Sequence, residues 1–244
     1  MTRPTGIRGA GIRVVGLTKR IGDRKVLDGV SFEVNPGEIV AVLGASGAGK
    51  TTLFRCLTRL AQCDDGEIFF DGENYANTKE VGLVFQQFNL IRRLSALDNV
   101  LAGRLAYVPT WRVMLRRFPY ADRQIALASL DRVGLLPYAL QRADRLSGGQ
   151  QQRVAIARAL AQHTRFVLAD EPVASLDPES AKGVLSILRE VARERAIAVL
   201  VSLHQVDFAL QFADRVIGLR HGRMITDLAA AQFAETHRQM IYAT

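Results

Sequence analysis

Gly44-Ala45-Ser46-Gly47-Ala48-Gly49-Lys50-Thr51 fits the pattern G-x-x-x-x-G-K-[ST] at every fixed position. It follows the compact apolar run Ile39–Leu43. It precedes a segment with helical apolar spacing, predicted to begin near Lys50 and to turn Leu53, Phe54, Leu57 and Leu60 inward. That context suits phosphate chemistry. Glycines let the backbone turn sharply and aim successive N–H groups at an anion. The start of a helix adds partial positive charge at the same place. Lys50 has the reach for the β- and γ-phosphates of a nucleotide, the Thr51 hydroxyl is a Mg²⁺ ligand by type, and Thr52 continues the turn. Alone, the motif says phosphate-loop NTPase and nothing finer.

Two further clusters carry chemistry. Leu146-Ser147-Gly148-Gly149-Gln150 sets a serine and two glycines at the mouth of an amphipathic helix, which makes a second anion-binding terminus. Ser147 is also a simple N-cap by type. Phe166-Val-Leu-Ala-Asp170-Glu171 is an apolar strand that delivers two acids to its carboxyl end. Asp170 is placed to hold Mg²⁺ directly or through water. Glu171 is placed to polarise an attacking water; a pair of acids after a strand can also simply cap the following turn.

The elements that must position these residues alternate along the chain. Strands are predicted at Ile12–Leu17, Val26–Val34, Glu38–Leu43, Glu67–Phe70, Val81–Phe85, Phe166–Asp170 and Ile197–Ser202, with a turn at Gly22–Asp23. Helices are predicted from Lys50, over Ala121–Val133, over Gly149–Gln162, and from Pro178 to Arg195 with Val184, Leu188, Val191 and Arg195 on one stripe. A short helix after Ser202 and a hairpin around His221–Gly222, between Val216–Leu219 and Met224–Thr226, close the chain. Such alternation implies an α/β fold with a mostly parallel sheet covered on both faces. The stretch from Gln87 to Leu146 has few strand signals and several helical ones. It reads as a helical subdomain inserted into a nucleotide-binding core, and residues 1–10 read as a loose tail.

Composition bounds the partners. The 244 residues are 48% hydrophobic, and no run approaches the roughly 18 consecutive apolar residues of a membrane helix. The N-terminus has no apolar region of the secretory type, so the chain is expected to stay in the cytosol. Cys56 and Cys63, expected on one helix, read as ordinary reduced thiols. The net charge of +8 attracts polyanions: nucleic acid, anionic lipid or nucleotide. Arg104, Arg112, Arg116 and Arg117 gather in sequence around the lone Trp111.

Taken together these motifs resemble the ABC ATPase family over nearly the whole chain. Ser147–Gln150 looks like its signature loop, Asp170–Glu171 like its Walker B acids, and Ser175-Leu176-Asp177 like its D-loop. Gln86, directly after Phe85, resembles the Q-loop glutamine, and His204 resembles the switch histidine that contacts the γ-phosphate. The segments Phe85–Leu136 and Leu203–Ala209 resemble the ATP subunit of phosphonate importers. The resemblance implies one ABC ATPase domain over residues 11–244, with a core of about 11–86 and 147–244 around a helical subdomain of about 87–146 and an antiparallel β edge. ATP and Mg²⁺ are the implied cofactors. Gly44–Thr52, Ser147–Gln150 and Asp177 are implied in binding ATP. Thr51, Gln86 and Asp170 are implied at the metal, and Glu171, His204 and Gln86 in hydrolysis.

One phosphate loop and one signature per chain imply a head-to-tail pair of copies. Transmembrane permease subunits, an indirectly coupled periplasmic binding protein and a place on the cytoplasmic face of the membrane follow from the same resemblance. The Arg/Trp cluster is expected to dock that permease or lie near the membrane. Two other classes stay open on the sequence: an ABC ATPase acting on nucleic acid, suggested by the charge, and an accessory ABC subunit of a phosphonate-degrading complex. Nucleic-acid ABC proteins usually carry tandem domains, coiled-coil insertions or zinc motifs, and none is visible, so no nucleic-acid partner is expected. Two departures stand out. Ile21 occupies the position where the family places an adenine-stacking aromatic, and Asp71–Glu80 is shorter than in relatives.

Overall fold

The computed structural model describes residues 11–74, 80–115 and 117–243. The tail expected over residues 1–10, part of the shortened segment before Val81 (residues 75–79) and Arg116 lie outside the described residues. In chain order the elements are β1 (Ile12–Ile21), β2 (Arg24–Val34), β3 (Ile39–Leu43), α1 (Lys50–Leu57), β4 (Asp65–Phe70), β5 (Glu73–Asn74), β6 (Val81–Phe85), α2 (Ala96–Leu101), α3 (Thr110–Met114) and α4 (Tyr120–Arg132). There follow α5 (Gly148–Ala161), β7 (Phe166–Asp170), α6 (Pro178–Arg195), β8 (Ala198–Ser202), α7 (Val206–Phe212), β9 (Arg215–Arg220), β10 (Arg223–Ala229) and α8 (Glu235–Tyr242). The described residues divide into two compact units, those within 1–78 and 189–244 and those within 79–188.

The first unit holds two sheets. In one, β2, β1, β4 and β5 run antiparallel in that order. The β1–β2 hairpin closes at Ile21 opposite Arg24, around the expected Gly22–Asp23 turn. In the other, β3 lies between β8 and β9 and is parallel to both, and β10 pairs antiparallel to β9. Every residue of β3, Ile-Val-Ala-Val-Leu, is 1% exposed or less. A strand covered on both faces needs a continuous apolar run rather than alternation, which is why this segment was legible. Val42 is in register with Ser202 on one side and Ile217 on the other. The parallel strands therefore present their carboxyl ends at one edge, where open α/β sheets bind ligands.

The second unit is a parallel pair, β6 and β7, with helices. Phe85 stands opposite Asp170. Helices α2, α4 and α5 pack on one another, and α5 also packs on β6. Ser95 caps α2 by accepting from the Asp98 N–H at 3.0 Å. Asn99, 1% exposed, donates to the Ile91 and Ser95 carbonyls and accepts from the Ile91 N–H. A buried amide satisfied in this way pins the irregular segment ahead of α2. The expected helical texture of residues 87–146 is realised as α2, α3 and α4 joined by short 3₁₀ turns.

Three expectations fail locally. Helix α1 ends at Leu57, and Arg59 takes a left-handed φ of 55°, so Leu60 is 65% exposed rather than buried. For the same reason Cys63 is off the helix that carries Cys56, although the two thiols are hydrogen-bonded across the turn; burial, chiefly, pushes Cys56 up to about 12. Along α6, Val184, Leu188 and Val191 are buried, but Arg195 in the last turn is exposed. A charged head at a helix C-terminus gains more from water and the helix dipole than from burial.

Candidate nucleotide site

In the first unit, β3 runs into the loop Gly44–Gly49 and the loop into α1. Ala45, Ser46 and Gly47 are exposed, while Gly44, Ala48, Gly49 and Lys50 are buried. Gly49 is the N-cap of α1 at φ 107°, and a Cβ there would lie 2.8 Å from the Val26 carbonyl oxygen, so only glycine fits. The loop is backed by the β9–β10 turn: the Gly222 N–H donates to Ala48 O at 3.0 Å, and Asp28 N–H donates to Gly222 O at 2.9 Å. Lys50, 5% exposed, curls back so that Nζ donates to Gly44 O at 2.7 Å and to Ala45 O at 3.4 Å.

No side chain caps α1, and its first turn carries no acid. The orphan N–H groups of that turn, with the lysine and the exposed Thr51 hydroxyl, make a donor-rich concavity that suits a polyphosphate and its cation. His204 follows the fully buried strand β8 and is exposed. It therefore leaves the sheet beside the loop, from the strand next to β3 and at the same end. Ile21, at the tip of the β1–β2 hairpin, is 62% exposed, so a broad apolar side chain is offered to solvent there.

In the second unit the acids and the glutamine share one edge. With Phe85 opposite Asp170, Gln86 and Glu171 are each one residue past the paired ends. Glu171 sits at φ 50°, a left-handed conformation that costs a non-glycine residue on the order of 1 kcal/mol or more and that clusters at functional sites. The Gln86 segment is held from behind by residues that the sequence did not single out. Arg158 donates to Asn89 O at 2.6 Å and Phe88 O at 3.2 Å, and the fully buried Gln152 reaches Phe85 O at 3.5 Å. Burial alone lowers the Arg158 pKa. The signal for both was weak, since they are polar positions on the inward face of α5. An open cleft of about 670 Å³ beside Gln86 is lined by Asn89, Arg92, Asp144, Gln151 and Ser175 among others.

The start of α5 is a second anion-type terminus. Ser147 accepts from the Gln150 N–H at 3.3 Å, and the Gln150 side chain accepts from the Ser147 N–H at 2.9 Å, a full capping box. Both readings of Ser147 thus coexist: it caps the helix, and it stands exposed with Gly148 at a terminus whose first turn has no acid. Gly149 is buried because α6 passes close by; a Cβ would lie 2.8 Å from Ser180 Oγ. Asp177 caps α6, accepting from the N–H groups of Glu179 at 3.1 Å and Ser180 at 2.9 Å. The Ser180 N–H, then the Ser180 hydroxyl, hold its pKa below the ordinary carboxylate value.

The arginine cluster is corrected. Arg104 is 6% exposed, donates to Asp122 at 2.7 Å and to Ala161 O at 2.8 Å, and stacks on Tyr107 at 4.0 Å. It is an interior tie, not part of a surface patch. Arg112 lies 5.2 Å over Trp111, which is 58% exposed, and Arg117 is exposed nearby in sequence. The partner that buries Arg104 is 18 residues away, beyond the reach of a local charge count.

A family model described as ABC transporter matches residues 27–174. The hypophosphite import ATP-binding protein HtxD of Stutzerimonas stutzeri is 48% identical over 95% of this chain and 70% of its own length. The phosphonates import ATP-binding protein PhnC of Cupriavidus pinatubonensis is 48% identical over 96% and 88%, and the phosphonates import ATP-binding protein PhnC 3 of a Nostoc strain 52% over 91% and 87%. Among solved structures, a dimeric ATP-binding cassette in a post-hydrolysis state with ADP and Pi superposes with a TM-score of 0.75 at 30% identity, over 91% of this chain and 100% of that one. An inward-facing metal-chelate type ABC transporter gives 0.84 at 28%, over 96% and 89%. The fold, the phosphate loop and these likenesses agree, and the chain belongs to the ABC transporter family, among its ATP-binding subunits.

Proposed function

We propose that this protein binds and hydrolyses ATP to drive an importer of phosphonates or a related phosphorus oxyanion such as hypophosphite. The observation that carries the reading is the pairing, in one chain, of two helix starts built for anions. One is the phosphate loop at α1, and the other is the Ser147–Gly149 terminus of α5; neither first turn holds an acid. The cargo class rests on the named activities of the relatives.

In this reading Gly44–Thr52 cradle the phosphates of ATP, and Lys50 turns from its own loop carbonyls to the β- and γ-phosphates. Thr51, Gln86 and Asp170 would hold Mg²⁺, which when bound would supply charge neutralisation to the phosphates. Glu171 accepts a proton from the attacking water, and His204 meets the γ-phosphate. Ser147–Gln150 and Asp177 act on the nucleotide held by a second copy of the chain. Residues 11–86 and 147–244 form the nucleotide core, and residues 87–146 the helical subdomain. No helix among the described residues is long and apolar enough to cross a membrane. In this reading, which rests on the named importer relatives, the protein works from the cytoplasmic face through separate permease subunits, which dock on the cleft beside Gln86 and couple to a periplasmic binding protein. The exposed Trp111, with Arg112 over its ring, supports docking on the same unit.

The test is direct. The purified wild-type chain should hydrolyse ATP, and Lys50→Ala should abolish detectable turnover and nucleotide binding. Co-expression with its cognate permease should yield a complex whose ATPase rises when the cognate binding protein carries a phosphonate. A wild-type protein that binds no ATP would sink the reading, and stimulation by another solute class would replace the cargo.

A further inference from the structure

Helix α8 brings a residue from the far end of the chain to the root of the phosphate loop. Its last turn is fixed on β9. Ile241 is 1% exposed and lies over Gly218, and Arg220 donates to Met240 O at 3.2 Å. Tyr242 follows, half-buried. Its hydroxyl donates to His204 O at 3.3 Å, and its phenol oxygen faces the nearby N–H of Gly44. Burial raises the phenol pKa and the Gly44 N–H pulls it down in part, so the group keeps at neutral pH the proton it donates.

The place matters. The ladder between β3 and β8 ends with the Leu203 N–H donating to Val42 O at 3.1 Å. Beyond that bond the strands part, Gly44 entering the loop and His204 leaving β8. The phenol stands across the opening, hydrogen-bonded to the His204 carbonyl on one side and facing the Gly44 N–H on the other. The carbonyl of the same Gly44 is held by Lys50. We propose that Tyr242 is a positioning residue for ATP hydrolysis: it ties the first glycine of the phosphate loop to the backbone of His204 and so fixes the imidazole relative to the loop. This rests on the reading of His204 as the residue that meets the γ-phosphate.

The experiment uses the full chain and compares wild type, Tyr242→Phe, His204→Ala, the double variant and, as a control on the same helix, Met240→Ala, whose side chain is 51% exposed. Tyr242→Phe should lower kcat about 5–10-fold, the loss of one or two net hydrogen bonds, with KM for ATP and affinity for ADP within about twofold. Met240→Ala should match wild type. The double variant should equal His204→Ala alone within about twofold, because Tyr242 acts through His204. In wild type, the Gly44 amide should exchange slowly with solvent hydrogen, and Tyr242→Phe should speed it about tenfold.

Full additivity in the double variant, unchanged kcat in Tyr242→Phe, or fast Gly44 exchange in wild type each overturn the proposal. The exchange measurement decides the matter even if the variant folds poorly. If His204→Ala keeps wild-type turnover, the role of His204 fails and the proposal falls with it. That outcome is read with Tyr242 intact, so the two failures are distinguishable.

Discussion

At the scale of single residues, a side chain's neighbours decide whether it binds, caps or holds. Ile21 shows the first case. Its exposed side chain can pack against a base but has no π-face, and an aromatic pair adds about 0.5–1.5 kcal/mol beyond contact area. Ile21→Tyr should therefore lower the Kd for ATP about 2–10-fold. Equal dissociation constants by calorimetry would remove Ile21 from the base site. Arg104 shows the last case. Its guanidinium is paired with Asp122 at 2.7 Å in the interior, both side chains being about a tenth exposed or less. Removing one partner strands the other, so Arg104→Ala should destabilise the fold by about 3–5 kcal/mol. A urea midpoint equal to that of wild type would show that Asp122 finds another partner or water.

At the scale of elements, the proposed chemistry falls at the starts of helices. Three helices start at sites assigned to the nucleotide, and each start is built differently. A left-handed glycine opens α1, a reciprocal Ser147–Gln150 box opens α5, and the carboxylate of Asp177 opens α6. The last has a pH signature. The folded-state pKa of Asp177 lies below its ordinary value. Its contribution is therefore complete above the ordinary carboxylate range and is lost as pH falls through the folded value. Asp177→Asn keeps an acceptor for the same N–H groups but cannot titrate. Wild type should be the more stable protein at about pH 7, and the two unfolding midpoints should converge as pH falls through the folded-state value of Asp177. A gap that is constant across that range would mean that the carboxylate charge contributes nothing.

At the scale of the whole molecule, the chain carries one phosphate loop and one signature terminus, so a symmetric pair supplies two of each. Glu171→Gln should keep ATP binding and lower turnover about 10²–10⁴-fold, the usual worth of a general base. In that variant ATP should hold the two copies together, and size-exclusion chromatography should show a dimer with ATP and a monomer without it. Wild-type turnover in Glu171→Gln would take this residue out of the mechanism. A monomer under saturating ATP would take the second copy out of it. The net charge of +8 does not by itself name a partner, since Arg104 is paired inside and several other arginines answer carboxylates.

The phosphate loop, the acids after Phe166–Ala169 and the Ser147–Gln150 cap could be read from the sequence because each is local. Glycines at fixed offsets, a buried run of strand length and an N-cap act over a few residues, and the physics that selects them has the same range. Strands such as β3 and β7 were legible for the same reason, as burial on both faces forces an uninterrupted apolar run. What only the tertiary structure decided is long-range. The burial of Arg104 depends on a carboxylate 18 residues away. The support of the Gln86 segment comes from Arg158, and Tyr242 reaches the root of the phosphate loop from the far end of the chain. Neither propensity nor spacing encodes such pairs, because they are chosen by which surfaces the packed elements bring face to face.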